Sequence, residues 1–378
     1  MEYTSIGESC SVVSGGTPSR SKNEYWENGN IPWIKIGNIK SKYVNEYDEL
    51  ITEQGLNNSS AKLLKKGTIL YTIFATLGEV GILDIEACTN QAIAGINIID
   101  SRITTDYLYY YLKSKKDYIN NIGRGVAQNN INLTTLKNFE IPLIDVDKQL
   151  NIVEILEKVE RIICLKEKEI DDLDLLIKAR FIEMFGRPFI NNMNWESRQI
   201  KNVVNEVKYG TSKPSVENGE YKYLRMNNLT YDGRFDLTDL KFISLDNDEL
   251  EKCVVRKGDV LFNRTNSLDL IGKTADFDFD EDMVIAGYII RIRLKEIIVP
   301  KFFSMYMNTD EVKLHLRTIA KGAVNQANIN AQELQGIPIY IPPIELQQQF
   351  ADFVKQVDKS RFDIKKSITE IEREVVYD

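Results

Sequence analysis

Residues 29–39, Gly-Asn-Ile-Pro-Trp-Ile-Lys-Ile-Gly-Asn-Ile, return 190 positions later as residues 219–229, Gly-Glu-Tyr-Lys-Tyr-Leu-Arg-Met-Asn-Asn-Leu, with the apolar, basic and Asn positions in step. Three further segments follow in the same order. Lys66-Gly67-Thr68-Ile69-Leu70-Tyr71 reappears as Lys257-Gly258-Asp259-Val260-Leu261-Phe262, Ile93-Ala94-Gly95 as Ile285-Ala286-Gly287, and Gln128-Asn129-Asn130-Ile131-Asn132 as Gln326-Ala327-Asn328-Ile329-Asn330. The offset drifts only from 190 to 198, as short loop insertions between two copies of one fold produce. Each copy reads as an α+β domain. Trp33–Ile36, Thr68–Phe74, Tyr223–Met226 and Asp259–Asn263 are rich in β-branched and aromatic residues and read as strands, whereas Asp106–Ser114 and Lys301–Met307 read as helices.

A different texture follows each copy. Ile152, Leu156, Val159, Ile163, Lys166, Ile170, Leu173 and Ile177 alternate spacings of four and three, the seam of a long helix. Phe350, Val354, Val357, Arg361, Ile364, Ile368, Ile371 and Val375 lie 198 residues beyond them, one for one. A period of 3.5 over nearly four heptads favours a coiled coil of the two helices over two separate surface helices. Each polar breach falls in one helix only, Lys166 where the other has Ile364 and Arg361 where the other has Ile163. The second copy follows the first helix at Gly186-Arg187-Pro188 and leads directly into the second helix, so the helices are expected to run antiparallel. The expected architecture is a pseudo-twofold dumbbell with domains at 1–146 and 185–344 and helices at 147–184 and 345–378. A helix of that length reaches about 57 Å at 1.5 Å per residue.

Composition removes several function classes. The one histidine, His315, sits in an amphipathic helical pattern, which leaves little room for a Ser-His-Asp triad or a Cys-His pair. Cys10, Cys88, Cys164 and Cys253 are too far apart in sequence to offer a close metal-ligand pair and read as reduced structural thiols, with no metal expected. Met1–Gly16 has no basic start leading into an apolar run, and no stretch nears the ~20 apolar residues of a membrane span, so a cytoplasmic protein with no membrane partner is expected.

A twofold object with unlike ends suits a split, asymmetric site on duplex DNA, where two-part readers space half-sites at multiples of ~34 Å. The net charge of −8 weighs against a stand-alone DNA binder, since phosphate neutralisation supplies much of such affinity. Basic residues must then gather on one face, or another subunit must share the DNA backbone.

Gly15-Gly16-Thr17-Pro18-Ser19, Ile31–Ile39, Lys66–Leu70, Asn129–Asn132, Ile141-Pro142-Leu143 and a helix opening on Gln149, with their echoes Tyr209-Gly210-Thr211, Arg225–Asn228, Gln326–Asn330 and Ile341-Pro342-Pro343, closely resemble the specificity subunit of type I restriction-modification systems. Lys178–Gly186, between the copies, resembles it too, so the likeness covers the whole chain. The resemblance implies two target recognition domains, each reading half of a bipartite double-stranded DNA sequence, and no catalysis in this chain. It implies docking of two adenine-N6 methyltransferase (modification) subunits and, in the full complex, an ATP-driven translocating restriction subunit. S-adenosylmethionine, ATP and Mg are expected on those partners and no cofactor here. Two departures, Gly210-Thr211-Ser212-Lys213-Pro214 and Asn263-Arg264-Thr265-Asn266 in place of Thr76-Leu77-Gly78-Glu79, lie in loops and bear on the target sequence.

Candidate DNA-binding residues are Thr17, Lys35, Asn38, Arg124, Gln128 and Asn130 in the first copy and Lys213, Arg225, Asn228, Arg264, Asn266, Lys321, Gln326 and Asn328 in the second. Arg264 suits guanine and Asn266 adenine, a solvated hairpin being the plain alternative. The Gly-bracketed stretches around Gln128 and Gln326 read as phosphate or base contacts, or as turn caps. Lys35 and Arg225 share a repeat position at a strand edge, and Thr17 and Lys213 are the weakest candidates. Outside the seam, Ile155, Ile162, Leu165, Leu175, Leu176 and Phe353 exceed what a two-stranded coil requires and suit partner docking, a wider core with the flanking domains being the plain alternative. Two rival functions remain open. One is a self-contained DNA methyltransferase or nuclease, for which Glu206-Val207-Lys208 is a faint metal candidate and no Gly-x-Gly-x-x-Gly loop is found. The other is a non-DNA scaffold whose paired domains bind protein.

Overall fold

The computed structural model describes residues 2–123, 130–323 and 326–377. The chain divides into two compact units, Met1–Leu165 with Glu370–Asp378, and Lys166–Thr369. Both are mixed α and β, as the repeat predicts.

In the first unit Cys10–Ser14, Ile93–Ile98, Ile69–Thr72, Val80–Leu83 and Tyr43–Val44 form a sheet in that spatial order, and Ile31–Ile34 lies between Glu49–Ile51 and Cys88–Thr89 in a second. In the second unit Val204–Tyr209, Ile289–Leu294, Val260–Asn263 and Thr274–Asp276 follow the first pattern, and Tyr221–Leu224 again pairs antiparallel on one side and parallel on the other. The strands end earlier than the sequence suggests. Ile36–Asn38 and Met226–Asn228 turn into 3-10 helices, because the Asn38 and Asn228 amide oxygens accept from the backbone N–H of Lys35 and Arg225, each at 2.9 Å. A short ladder closes each unit, Glu2–Ser5 with Glu140–Leu143 and Glu196–Gln199 with Pro338–Ile341.

The long helices are Val146–Phe185 and Ile344–Tyr377. Each begins on a fully buried glutamine. Gln149 donates to Arg102 O at 2.6 Å and Ile144 O at 2.9 Å and accepts from Thr104 N at 2.9 Å. Gln347 does the same with Ile297 O, Pro342 O and Val299 N at 3.1, 2.8 and 2.9 Å. A buried amide with every partner satisfied holds a helix start rigidly, which explains a polar residue at so closed a site.

Within the second unit the helices pack antiparallel. Phe350, near the start of one, lies 5.4 and 5.5 Å from Phe181 and Phe185 near the end of the other, while Arg361 lies 3.4 Å from Asp174 further back. Phe302 stacks on Phe181 at 5.7 Å, so the helix pair shares the core of the globular part. The seam positions Leu156, Val159, Ile163, Lys166, Ile170, Leu173 and Ile177 are wholly or partly buried, as are Phe350, Val354, Val357, Arg361, Ile364, Ile368 and Ile371. Ile152 is a correction: it is 40% exposed, and Val153, at 7%, enters the core of the first unit instead. The face that joins the core there follows a local 3.6-residue period, which overrides the heptad at the helix start. The side chain of Val375 lies outside the described residues. No described helix is long and apolar enough to cross a membrane.

Candidate nucleic-acid interface

In the second unit the two candidate stretches meet. Thr265–Asn266 forms a short strand against Gln326–Asn328, which also pairs with Lys321–Ala323. Thr265 therefore sits opposite Asn328, which ties this stretch to the Gln326–Asn328 strand. Arg264 reaches Asn328 Oδ1 at 3.0 Å, its guanidinium 4.7 Å from the Tyr209 ring centre, and Asn328 Nδ2 donates to Thr265 Oγ1 at 2.7 Å. The Asn266 amide is engaged locally, with Asn263 Oδ1 and Ser267 N at 2.9 Å. Gln326 is exposed, and Lys321 pairs with Glu333 at 2.5 Å while most of its side chain faces solvent.

The first unit forms a single bridge at the corresponding position, with other side chains. Phe74 bridges Asn130 where Thr265 pairs with Asn328, so Asn263–Asn266 stand in the place of Thr72–Ala75, a correction to their expected match with Thr76–Glu79, and Phe74 is 40% exposed. Ala75 and Gly78 turn the following loop with φ of +62° and +80°. Arg124 and Gln128 lie outside the described residues. Asn132 and Asn330, which end the repeated Asn-Ile-Asn motif, cap short helices by accepting from Thr135 N and Glu333 N, so part of that motif is structural.

The remaining candidates separate from this ladder. Asn38 and Asn228 are 5% and 1% exposed, and their amides also donate to Asp48 and to Asp236 O, so both are committed to holding turns. Lys35 bonds Glu49 at 2.7 Å, which raises its pKa, and Arg225 bonds Asp239 at 2.7 Å. Lys213 bonds Glu249 at 2.5 Å, which likewise raises its pKa, with Asp246 at 3.3 Å. Thr17 donates to Gln91. These cations are neutralised by carboxylates in the free chain.

A cluster that the sequence reading passed over borders the Arg264–Lys273 loop on its other side. Lys273, Lys313 and Arg317 bond only carbonyl or hydroxyl oxygens: Met226 O at 3.4 Å, Gly272 O at 2.6 Å, and Tyr231 OH and Asp269 O at 3.0 and 3.4 Å. Among the described residues none of the three has a carboxylate within 4 Å. The signal was in the sequence: Lys313 and Arg317 stand four apart on the helix Asp310–Ile319, and Lys273 follows Gly272 at the hairpin. In a chain of net charge −8, Arg264 on one flank of this polar loop and Lys273 and Arg317 on the other, with Lys313 buried beneath it, form the local basic surface that an anionic polymer requires.

The helical surface offers apolar patches. Ile155, Leu165 and Leu175 are 60, 57 and 60% exposed, Ile162 and Leu176 nearly half. Phe353 is a correction, since it packs on the core of the second unit beside Phe350, whereas Phe362, not anticipated, is 67% exposed. His315 lies edge-on to Phe189, and Glu206 is taken up by Lys208, Arg291 and Arg293, which removes the triplet at 206–208 as a metal candidate. Cys10, Cys88, Cys164 and Cys253 are free thiols.

The family model of the Type I restriction modification DNA specificity domain matches residues 1–175 and again 192–373. Similar proteins include the Type I restriction enzyme MjaIX specificity subunit of Methanocaldococcus jannaschii, 30% identical over 248 residues, 59% of this chain and 56% of that one. The EcoR124I/EcoR124II specificity subunit of Escherichia coli is 30% identical over 164 residues, 42% of this chain and 40% of that one. The EcoKI specificity subunit of Escherichia coli is 20% identical over 357 residues, 88% and 76% of the two chains. The chain thus spans about half the length of the first of these relatives. Among solved structures, a chain from a study of complex assembly and conformational transition of the type I R-M system aligns with TM-score 0.65 and 18% identity, covering 98% of this chain and 94% of that one. The S subunit of a Type-I restriction-modification system from M. genitalium aligns at 0.50 and 15%, covering 99% and 94%. Both likenesses concern the fold.

Proposed function

Because the chain belongs to the Type I restriction modification DNA specificity family, we propose that it is the non-catalytic DNA recognition subunit of a type I restriction-modification complex. Residues 1–146 and 185–344 are its target recognition domains, each reading one half of a bipartite asymmetric duplex. The helices at 147–184 and 345–378 set the spacer and dock two methyltransferase subunits. S-adenosylmethionine, ATP and Mg belong to those partners and to an accompanying restriction subunit, in the cytoplasm.

One observation carries the reading. A backbone bridge forms at the same repeat position in both units, yet it presents Phe74 beside Asn130 in one and Arg264 with Thr265 beside Asn328 in the other. A conserved frame with exchanged edge groups suits two unlike half-sites, because base identity is read by donor and acceptor pattern while the frame sets register. Lys273 and Arg317, which have no carboxylate partner among the described residues, supply the phosphate contact that an acidic chain otherwise lacks. The exposed Ile155, Leu165 and Leu175 supply apolar docking surface on the helices.

Mapping methylated adenines in cells that express the chain with its modification subunits tests the reading. A split motif with a fixed gap is expected. Methylation or cleavage by the chain alone would favour a self-contained enzyme, and failure to bind any duplex with the partners present would favour a protein scaffold.

A further inference from the structure

Lys313 is 4% exposed, and its ammonium holds Gly272 O at 2.6 Å from beneath the Arg264–Lys273 loop. Gly272 has φ +76°, and a Cβ there would fall 2.4 Å from Leu316 Cδ1, so the loop closes on this helix with no room to spare. Each element packed around the ammonium contributes a group. The Tyr231 ring lies 4.6 Å from it, Arg317 follows one helical turn on, and Lys273 approaches from the hairpin. The acid that faces it, Asp232, is bonded to Arg234, which in turn reaches Asp174 at 2.6 Å. Burial and then the repulsion of Lys273 and Arg317 push the Lys313 ammonium down to about 7, and burial also lowers Lys273. A cation kept so close to neutrality beneath a basic loop is poised to answer an arriving negative charge.

We propose that Lys313 is a positioning residue that couples docking of a DNA phosphodiester at Lys273 and Arg317 to the uptake of one proton from solvent. The inference rests on the DNA-recognition reading above and adds to it a residue, a ligand group and a pH dependence. The phosphodiester offsets the repulsion among the three cations, the Lys313 amine takes a proton, and its bond to Gly272 O becomes charge-assisted and shorter-lived openings of the loop are suppressed. The proton comes from water and no covalent bond changes.

The experiment is fluorescence anisotropy of the full chain, with its modification subunits present, on a labelled duplex carrying its methylation motif, from pH 6.5 to 8.5 at constant ionic strength. Wild-type affinity is expected to fall as pH rises, by up to about tenfold per unit where one proton is taken up. Lys313→Arg stays charged throughout and is expected to bind with less than twofold change across the range, at wild-type strength at pH 6.5. Lys313→Met is expected to bind weakly with an equally flat profile, and His315→Gln to keep the wild-type slope. Calorimetry in two buffers of different ionisation enthalpy should count close to one proton taken up by wild type at pH 8 and none by either Lys313 variant. Equal slopes in wild type and both Lys313 variants, or no proton uptake by a wild type that binds, overturns the inference and leaves the recognition reading intact. A wild type that binds no duplex at any pH overturns that reading and the inference together.

Discussion

Asp174 and Arg361 lie 3.4 Å apart, one on each long helix of the second unit, and their pairing explains how an arginine occupies an apolar seam. Asp174 also receives Arg234 from the globular part at 2.6 Å, and Arg234 continues to Asp358 at 3.4 Å. One carboxylate therefore ties a loop of the recognition domain to both helices. Such a network fixes orientation more than it adds stability, because charges with side chains about a quarter exposed or less lose hydration as they gain partners.

Removing the two ends of that network should have unequal effects. Asp174→Ala leaves two part-buried guanidiniums short of an acceptor and is expected to cost about 2 to 3 kcal/mol. Arg361→Met leaves Asp174 still paired with Arg234, restores an apolar seam, and is expected to change stability by less than about 1 kcal/mol. Urea unfolding of the full chain measures both, and equal losses would show that Arg361 is the main partner.

Gln347→Leu and Gln149→Leu test the helix anchors. Each strands two carbonyls and one N–H away from water, and a loss of about 3 kcal/mol is expected from groups that cost about 1 kcal/mol or more apiece. Because the glutamines lie in different compact units, each variant should lower the midpoint of its own unit, resolved by hydrogen exchange at Leu108 or at Phe302.

Much of this was legible in the sequence, for physical reasons. The repeat exposed the two α+β copies because a frame of Gly, Asn and apolar positions is demanded by turns and core, and those demands recur. The heptad showed the helix pair, but not the change from Ile152 to Val153, since packing on the core of the first unit decides which residue faces in. Polar candidates fared less evenly. Arg264 and Asn328 do meet, whereas Asn38 and Asn228 cap turns, because an Asn that serves a backbone and one that serves a ligand look alike in one chain. Lys313 was hidden by a pattern that makes a helical lysine look solvated, and only the position of Gly272 O shows otherwise.

Lys313 should also leave a mark on stability without DNA. Its folded value of about 7 lies below the 10.5 of an exposed lysine, so between these the unfolded chain binds the proton that the folded chain has released. Stability should therefore rise with pH across that window, by up to about 1.4 kcal/mol per unit from this group. In Lys313→Met the contribution vanishes, whatever the variant loses at Gly272 O. Denaturant titrations at pH 7, 8 and 9 decide it, and an identical pH slope in the two proteins would refute the assignment.

Gly272→Ala should separate loop geometry from charge. The substitution meets both positive φ and the Leu316 side chain, for which a cost of about 1 to 3 kcal/mol is expected. Together with Arg264→Ala, which removes the guanidinium on Asn328, it should relax recognition of one half-site, by about 1 to 3 kcal/mol for a lost bidentate base contact. The other half-site should be read as before. Methylation mapping with each variant reports both halves at once, and loss of both halves together would contradict a division of labour between the domains.

If the helix pair is the ruler between half-sites, its length is the variable to change. Deleting one heptad from each helix, between Ile163 and Ile170 in the first and between Arg361 and Ile368 in the second, keeps the seam in phase and leaves the cluster of Phe181, Phe185 and Phe350 untouched. Seven residues at 1.5 Å shorten the pair by about 10 Å, close to three base pairs along DNA. The shortened chain is expected to methylate the same two half-sequences across a gap about three base pairs smaller, with activity reduced because the loss also rotates one half-site relative to the other. An unchanged gap would mean that the spacing is set elsewhere, by the partner subunits or by the bend they impose on the DNA.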